Sequence, residues 1–403
     1  MSDPKHITDN ENLNDYGTRI IRWFLISLGA WPQTSASNNK MKKLAVSMQI
    51  FIFSTALAII LIPCMLYIGF EKKDIKTKLH AIVPLFNRIS GSLSYWIILT
   101  RNKDVQRCIR HMETDWKLVR RIDNRKVMLQ YAKFGRWTTA LSATFIHGST
   151  YIFNMIKAME TTTVIIGNKT ITIHPMTCPM YSRILDVRFS PANEIMLGVQ
   201  YLSTFVMASS IATVYSLATV FAAHACGQLN VLHTWLNELA EEKTNHLAER
   251  KLGAVVKHHW RVLSFVQQIE SIMHKACLSI LMGCTINMCF LGYFLVMNWS
   301  AFNKAKILAN FITYMSTITN LFIICYIGEI LTEECEKIGD ITYMTNWYKL
   351  PHKTALGLIL IIMQSSHTIK ITAGKLFLLS IATFGDVLKT STAYLNILRT
   401  MTT

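Results

Sequence analysis

Charge is scarce in this 403-residue chain. Only 16% of its residues are Asp, Glu, Lys or Arg, where soluble domains have roughly 25%, and 51% are hydrophobic. A soluble protein of this length needs a charged coat; the deficit implies that lipid replaces much of it. Acidic residues are the scarcer kind, 24 against 41 basic, for a formal net charge of +17. That excess does not point to nucleic acid, because the basic residues gather between apolar spans, where one face of a bilayer attracts such clusters. The nine cysteines include no CxxC pair and sit mostly in or beside apolar segments. They read as small core residues, not as zinc ligands or a disulfide framework. The opening "MSDPKHITDNENLND" lacks the basic region, apolar core and small-residue cleavage site of a signal peptide, so the N-terminus is expected in the cytosol.

Enzyme signatures are missing too. His111 and Asp115 are one residue too close for the acyltransferase HxxxxD pattern, and His258-His259 is a lone pair where membrane desaturases need several histidine boxes. The sequence has no phosphate-binding glycine loop and no metal-ligand cluster, so no cofactor is expected. A transporter, the second class considered, predicts internal repeats or spans broken at corresponding places in two halves, and no such repeat is visible.

What the chain has is long apolar runs. About 20 such residues cross a bilayer as a helix, and seven runs qualify: Leu44–Phe70, His80–Thr100, Trp137–Met155, Ile195–Ala222, Cys277–Met297, Ile307–Ile330 and Leu376–Met401. Two shorter ones, Ile20–Trp31 and Ala355–Met363, are expected at an interface or inside the protein. The segments 1–43, 101–136, 223–276 and 331–375 share one side and hold 28 Lys and Arg; the opposite loops hold 10. The positive-inside rule then predicts an all-α membrane protein with a cytosolic N-terminus and, after seven crossings, an extracellular C-terminus. Two glycosylation sequons, at Asn168 and Asn298, fall in loops already placed outside; Asn168 is the expected acceptor, since Asn298 hugs the membrane. Seven-helix G-protein-coupled receptors have the opposite orientation, and their Asp-Arg-Tyr and Asn-Pro-x-x-Tyr signatures are missing.

The last span is wet on one side. At 3.6 residues per turn Asp386, Lys389, Thr390, Ala393, Asn396, Ile397 and Thr400 share a stripe, while Val387, Leu388, Ser391, Leu395 and Leu398 face the other way. A polar stripe in a spanning helix must meet water or protein, because an isolated charge in lipid costs about 2.5 kcal/mol or more. Packing against other spans and lining a pore both satisfy it. Arg88, about 12 Å below the outer end of the second span, is a costly buried cation; its readings are a functional residue, a snorkelling side chain or a structural partner.

Several stretches carry a resemblance. They are "LGAWP" (Leu28–Pro32), "HACGQLNVL" (His224–Leu232), "GEILTEECEKIGDITYMTNWYKLP" (Gly328–Pro351) and "TIKITAGKLFLLSIATFGDVLKTSTAYLNILR" (Thr368–Arg399). In this order, with this topology, the chain resembles the insect odorant receptors. The tail has Thr392-Ala393-Tyr394 and no Gln-Phe, which favours that branch over the related gustatory receptors, the alternative. The stretch His224–Lys275 lacks the long insertion of the shared olfactory co-receptor, which makes this a tuning subunit.

The resemblance implies a tetrameric, odorant-gated, non-selective cation channel formed with the co-receptor in the plasma membrane of olfactory sensory neurons. Its implied parts are a cytosolic segment 1–43 with a short interfacial helix, spans one to six with the ligand pocket (44–330), cytosolic anchor helices where subunits meet (331–375) and a pore-lining seventh span (376–403). Aligning on Tyr394 carries the family's hydrophobic gate to Ile397 and Met401, with Ala393, Asn396 and Thr400 as lining and Thr390 and Lys389 on the same stripe. Arg399 departs from a cation pore and is expected to face a neighbouring subunit. The implied pocket for a small volatile odorant is in the outer half of spans two, three, four and six. Residues at that depth are Val83, Asn87 and Ser90; His147 and Tyr151; Tyr201 and Phe205; and Phe311, Tyr314 and Met315. The pairs His147/Tyr151 and Phe311/Tyr314 each share a helix face.

Overall fold

The computed structural model describes residues 10–31, 40–71, 75–119, 121–166, 169–181, 183, 187, 190–242, 244–297, 304–366 and 369–402. Asn168, Asn298 and the side chain of Met401 lie outside the described residues. Among the described residues ten α-helices carry the fold: α1 Asn10–Ser27, α2 Lys40–Phe70, α3 Ile75–Thr100, α4 Asn102–Leu118, α5 Ile122–Met159, α6 Ala192–Ala240, α7 Asn245–Met297, α8 Lys304–Met344, α9 His352–Ser366 and α10 Ile381–Thr402. Two antiparallel hairpins complete it, β1 Thr162–Ile166 with β2 Lys169–Ile173, and β3 Thr372–Ala373 with β4 Phe377–Leu378.

Helix α6 is the axis of the bundle. It packs against α1, α2, α3, α5, α7 and α8, and its buried surface is dominated by Ala, Ser and Thr around Ser203, Ala208, Ser209, Ala212 and Ser216. Small side chains let neighbouring helices approach closely, which is how spans associate where lipid is as apolar as Leu. Several of their hydroxyls bond to the carbonyl one turn back, as Ser210 does to Val206 O at 2.6 Å and Ser216 to Ala212 O at 2.7 Å, so the helix itself satisfies them. On the outside, α2 exposes Met48, Phe51, Ile52, Ile59 and Ile62 along one side, the apolar face that a bilayer covers.

Among the described residues five helices are long and apolar enough to cross a membrane: α2, α3, α6, α7 and α8. The sequence predicts seven spans, and α5 and α10 supply the other two. The 22 residues of α10 reach about 33 Å, enough for a hydrocarbon core of about 30 Å, but its polar stripe lowers its hydropathy. Of the two shorter runs, the first forms the end of α1 and the turn after it; Ile21, Phe24 and Leu25 of the helix, and Leu28 just past it, are buried in the main core. The second becomes α9, packed on α8 and α7.

The segment between the fourth and fifth spans is not a loop. Helices α6 and α7 continue through it to Ala240 and from Asn245, and an ionic cluster ties them to α4. Asp115 of α4, almost wholly buried, accepts hydrogen bonds from Arg261 Nε at 2.6 Å and His224 Nε2 at 3.1 Å, with His111 Nε2 3.5 Å away. Burial pushes the Asp115 carboxyl up, but the hydrogen bond from His224 and the charges of His224, His111 and Arg261 outweigh it and hold the group below its ordinary range. Burial of His111 lowers its own pKa. His224 opens the stretch "HACGQLNVL", and Asn230 in it bridges Tyr131 Oη and Glu334 Oε2, each at 2.8 Å.

Candidate functional site

Two neighbouring cavities lie within the bundle, between α3, α5, α6, α7 and α8, with volumes of about 90 and 50 Å³. They share Asn87, Thr150, Met207 and Thr313 as wall residues. A larger hollow of about 450 Å³ lies between α5, α6 and α8 near Tyr131 and Glu334; three helices wall it, whereas five wall the two smaller cavities. The five-walled pair is the better small-molecule site, since more wall buries more of a ligand's apolar surface.

Apolar and polar walls alternate there. Ile146, Met207, Ala208, Ile211 and Ile280 supply apolar surface. Asn287 Nδ2 donates to Asn87 Oδ1 at 2.6 Å, and Asn320 Nδ2 donates to Ser316 O at 2.8 Å. Ser316 Oγ donates to Phe145 O at 2.8 Å, and Ser149 Oγ lies 3.1 Å from it, so α5 and α8 are joined across the cavity. The carbonyl oxygens of Asn287 and Asn320 have no hydrogen-bond partner among the described residues. Arg88, 3% exposed, is pinned to α6 through Ser203 Oγ, Thr204 Oγ1 at 2.7 Å and Gln200 O at 3.5 Å. It is wholly buried, not snorkelling, and helps wall the smaller cavity.

The residues named from the sequence scatter around this site. Val83, Asn87 and Ser90 line it. His147 and Tyr151 stack on each other at 5.8 Å, and His147 stacks on Phe24 of α1 at 6.0 Å, while Ile146, Ser149 and Thr150 of the same helix meet the cavity. Tyr201 is partly exposed and Phe205 packs against the main core, with Thr204, Met207 and Ala208 at the cavity instead. Phe311 and Met315 point outward, and Tyr314 packs toward Gly292; Thr313, Ser316 and Asn320 line the cavity from α8. Asn287 and Asn320 are legible as amides inside apolar spans, a costly placement that marks function.

Helix α10 lies along α7 and α8. Val387 and Ser391 are buried, and Leu388, Leu395 and Leu398 are partly covered. Asp386, Lys389, Thr390, Ala393, Asn396, Ile397 and Thr400, the stripe named from spacing, are exposed in the single chain. Asp386 and Lys389 pair loosely at 3.9 Å. Arg399 is exposed as well. Inside this helix Ser391 Oγ donates to Thr285 O of α7 at 3.4 Å.

The entry to α10 is clamped. The sequence predicts a span from Leu376, but the β3–β4 hairpin occupies 372–378 and the helix begins at Ile381. Glu270 of α7 accepts from Thr372 N at 2.8 Å and from Thr372 Oγ1; Gly374 N donates to His274 O at 2.7 Å. Ser380 Oγ accepts from Thr383 N at 3.2 Å as a helix N-cap, and Glu329 of α8 accepts from Ile381 N at 3.1 Å. Gly328 permits this contact, since a Cβ there would stand 2.3 Å from Leu379 O. A "TAGK" turn between short apolar runs is the signal for such a hairpin.

The profile of the family described as 7tm Odorant receptor matches residues 74–392. Among fully named relatives, Odorant receptor 13a of Drosophila melanogaster is 25% identical over 227 residues, 50% of this chain and 54% of that protein. Odorant receptor 82a of the same fly is 24% identical over 212 residues, 53% of this chain and 54% of that protein. The chain thus matches about half the length of these relatives. In fold it is similar to the insect olfactory receptor OR5 from Machilis hrabei in complex with eugenol, with a TM-score of 0.77 over 98% of this chain and 100% of that one at 12% identity. The structure of that receptor described without eugenol gives 0.76 over 97% and 99% at 13% identity. With seven membrane helices, the inserted α1, the clamped last helix and a family match across most of its length, the chain belongs to the 7tm odorant receptor family.

Proposed function

We propose that this chain is the odorant-binding subunit of an odorant-gated, non-selective cation channel, assembled as a tetramer with the olfactory co-receptor in the plasma membrane of olfactory sensory neurons. The observation that carries this reading is the unpartnered polar stripe of α10: its apolar side packs on α7 and α8, and its wet side faces away from the bundle. Lipid is a poor neighbour for Asp386, Lys389 and Asn396, and copies of the stripe around an axis enclose water instead. In this reading the N-terminus is cytosolic, the C-terminus is outside, 331–375 forms the subunit anchor and Asn168 accepts a glycan.

Ile397 and Met401 supply apolar rings near the outer end of the pore, which close it by dewetting. The outer cavities take the odorant. Helix α7 touches both sites, with Cys284 and Asn287 at the cavity and Thr285 and Gly292 at α10, so a ligand that fits the cavity better when α7 and α10 are rearranged opens the gate. Whole-cell current in cells expressing this chain with and without an insect co-receptor, G-protein signalling blocked, tests it against a volatile panel. Rapid inward cation current that needs the co-receptor and survives the block supports the reading; responses abolished by the block overturn it.

A further inference from the structure

Asn320 is held in one orientation. Its Nδ2 donates to Ser316 O at 2.8 Å, and a backbone carbonyl can only accept, so the side-chain carbonyl is the atom left over. That oxygen has no partner among the described residues, and Asn320 is 3% exposed. Asn287, 6% exposed, adds a second such oxygen from α7, its Nδ2 given to Asn87 Oδ1 and its carbonyl oxygen without a partner among the described residues. Both side chains wall the same 90 Å³ cavity. Three further polar wall groups are engaged: Ser316 donates to Phe145 O, Ser90 to Ser279 O, and the Tyr215 hydroxyl lies against Cys284 Sγ.

On the reading that these cavities take the odorant, we infer that the ligand of this receptor is a small alcohol or phenol, whose hydroxyl hydrogen is received by the carbonyl oxygens of Asn320 and Asn287. Two acceptors with nothing to accept favour a ligand that donates. Water entering such a site donates as well, so a ligand that displaces it must replace that hydrogen bond or lose affinity. An alcohol replaces it; an ether, a ketone or a hydrocarbon of the same shape does not. Size sets the second limit. The two cavities, about 90 and 50 Å³, adjoin at Asn87, Thr150, Met207 and Thr313, and even joined they do not exceed the ~150 Å³ of an engineered cavity that holds benzene. One ring, or a chain of about six carbons, fits.

The test uses the full chain with an insect co-receptor and two matched series: phenol, anisole and toluene, and hexanol, methyl pentyl ether and heptane. Phenol and hexanol are expected to activate at concentrations at least about tenfold below their ethers, with the hydrocarbons no better than the ethers. Asn320→Leu, near in volume and lacking the acceptor, reduces that gap to within about twofold. If Asn320→Leu does not reach the surface, Asn287→Leu carries the same expectation. Ethers matching the alcohols, or an alcohol preference that survives the leucine variants reaching the surface, overturns the inference.

Thermal stabilisation of the purified chain by the same compounds separates this inference from the channel reading. Stabilisation by phenol and hexanol over their ethers, without evoked current, upholds the hydroxyl site and removes the channel. Ether-evoked current equal to that from alcohols does the reverse, and no stabilisation by either alcohol at millimolar concentration overturns the hydroxyl site.

Discussion

Leu395 of α10 occupies the space that a side chain on Gly292 of α7 would need: a Cβ at Gly292 would stand 2.6 Å from Leu395 Cδ1. Seven residues earlier Thr285 O accepts from Ser391 Oγ, so the pore-helix candidate is seated on α7 at two levels. Between those levels Asn287 and Leu291 face the cavities. One helix therefore carries the ligand wall on one side and the support of α10 on another.

Gly292→Ala fills the seat and forces Leu395 aside. If opening moves the Ile397 rings apart by pressing α10 toward α7, the added methyl resists it. The half-activating concentration is expected to rise by about two- to thirtyfold, the range of 0.5–2 kcal/mol for a coupling residue. Dose–response curves at matched surface expression check this; a fall would contradict it.

Gly328→Ala meets backbone, not a mobile side-chain end. Its Cβ would stand 2.3 Å from Leu379 O, so the hairpin or α8 must shift. A loss of about 2 kcal/mol or more of stability is expected, as overpacking elsewhere gives. The thermal midpoint and yield of the purified variant against wild type read it out.

Ile397→Ala shortens the proposed apolar ring. Ile397 is 52% exposed in the single chain and packs nothing essential there, so folding should be little affected. Current without odorant is expected to rise several-fold above wild type, because a wider, less apolar constriction wets more readily. Unchanged basal current at equal surface expression would remove Ile397 from the gate.

Asp115 holds Arg261 and His224, and Asp115→Ala leaves both without it. A loss of about 3 kcal/mol is expected, the low end for breaking a buried pair. The pH dependence has a definite sign. Burial lowers the pKa of His111, so between pH 7 and 5 the folded state binds fewer protons than the unfolded chain, and stability falls as the pH falls. Asp115, held low, keeps its contribution until the pH drops below about 4. Thermal midpoints across this range test it; His111→Phe, beside Phe265, should flatten part of the slope.

The sequence made the helices legible and the helix faces only in part. Long apolar runs and basic loops foretold the spans, and α10 divided into packed and exposed sides as its spacing predicts, because there polar and apolar residues contrast. On α5, α6 and α8 every side is apolar, so periodicity has no contrast to work on and depth alone drew attention to aromatic residues. His147 instead stacks on α1 and Phe311 points outward, while small polar residues such as Ser149, Ser316 and Asn320 wall the cavity. The extensions of α6 and α7 beyond their spans were hidden by their charged residues, which read as loop but satisfy one another through Asp115. The clamp on α10 depends on Glu270 and Glu329, distant in sequence from the hairpin they hold.

The most direct test of the central claim is the accessibility of single cysteines on α10 to a cationic thiol reagent applied from outside, and the native cysteines, all buried, give it a quiet background. The account predicts that Thr390→Cys and Ala393→Cys, on the exposed stripe below the Ile397 level, are modified and lose current only while an odorant is present. Leu395→Cys and Leu398→Cys, on the side facing α7, should be unaffected. Modification of the packed side, or equal rates at Ala393→Cys with and without odorant, would contradict a ligand-gated pore lined by this helix.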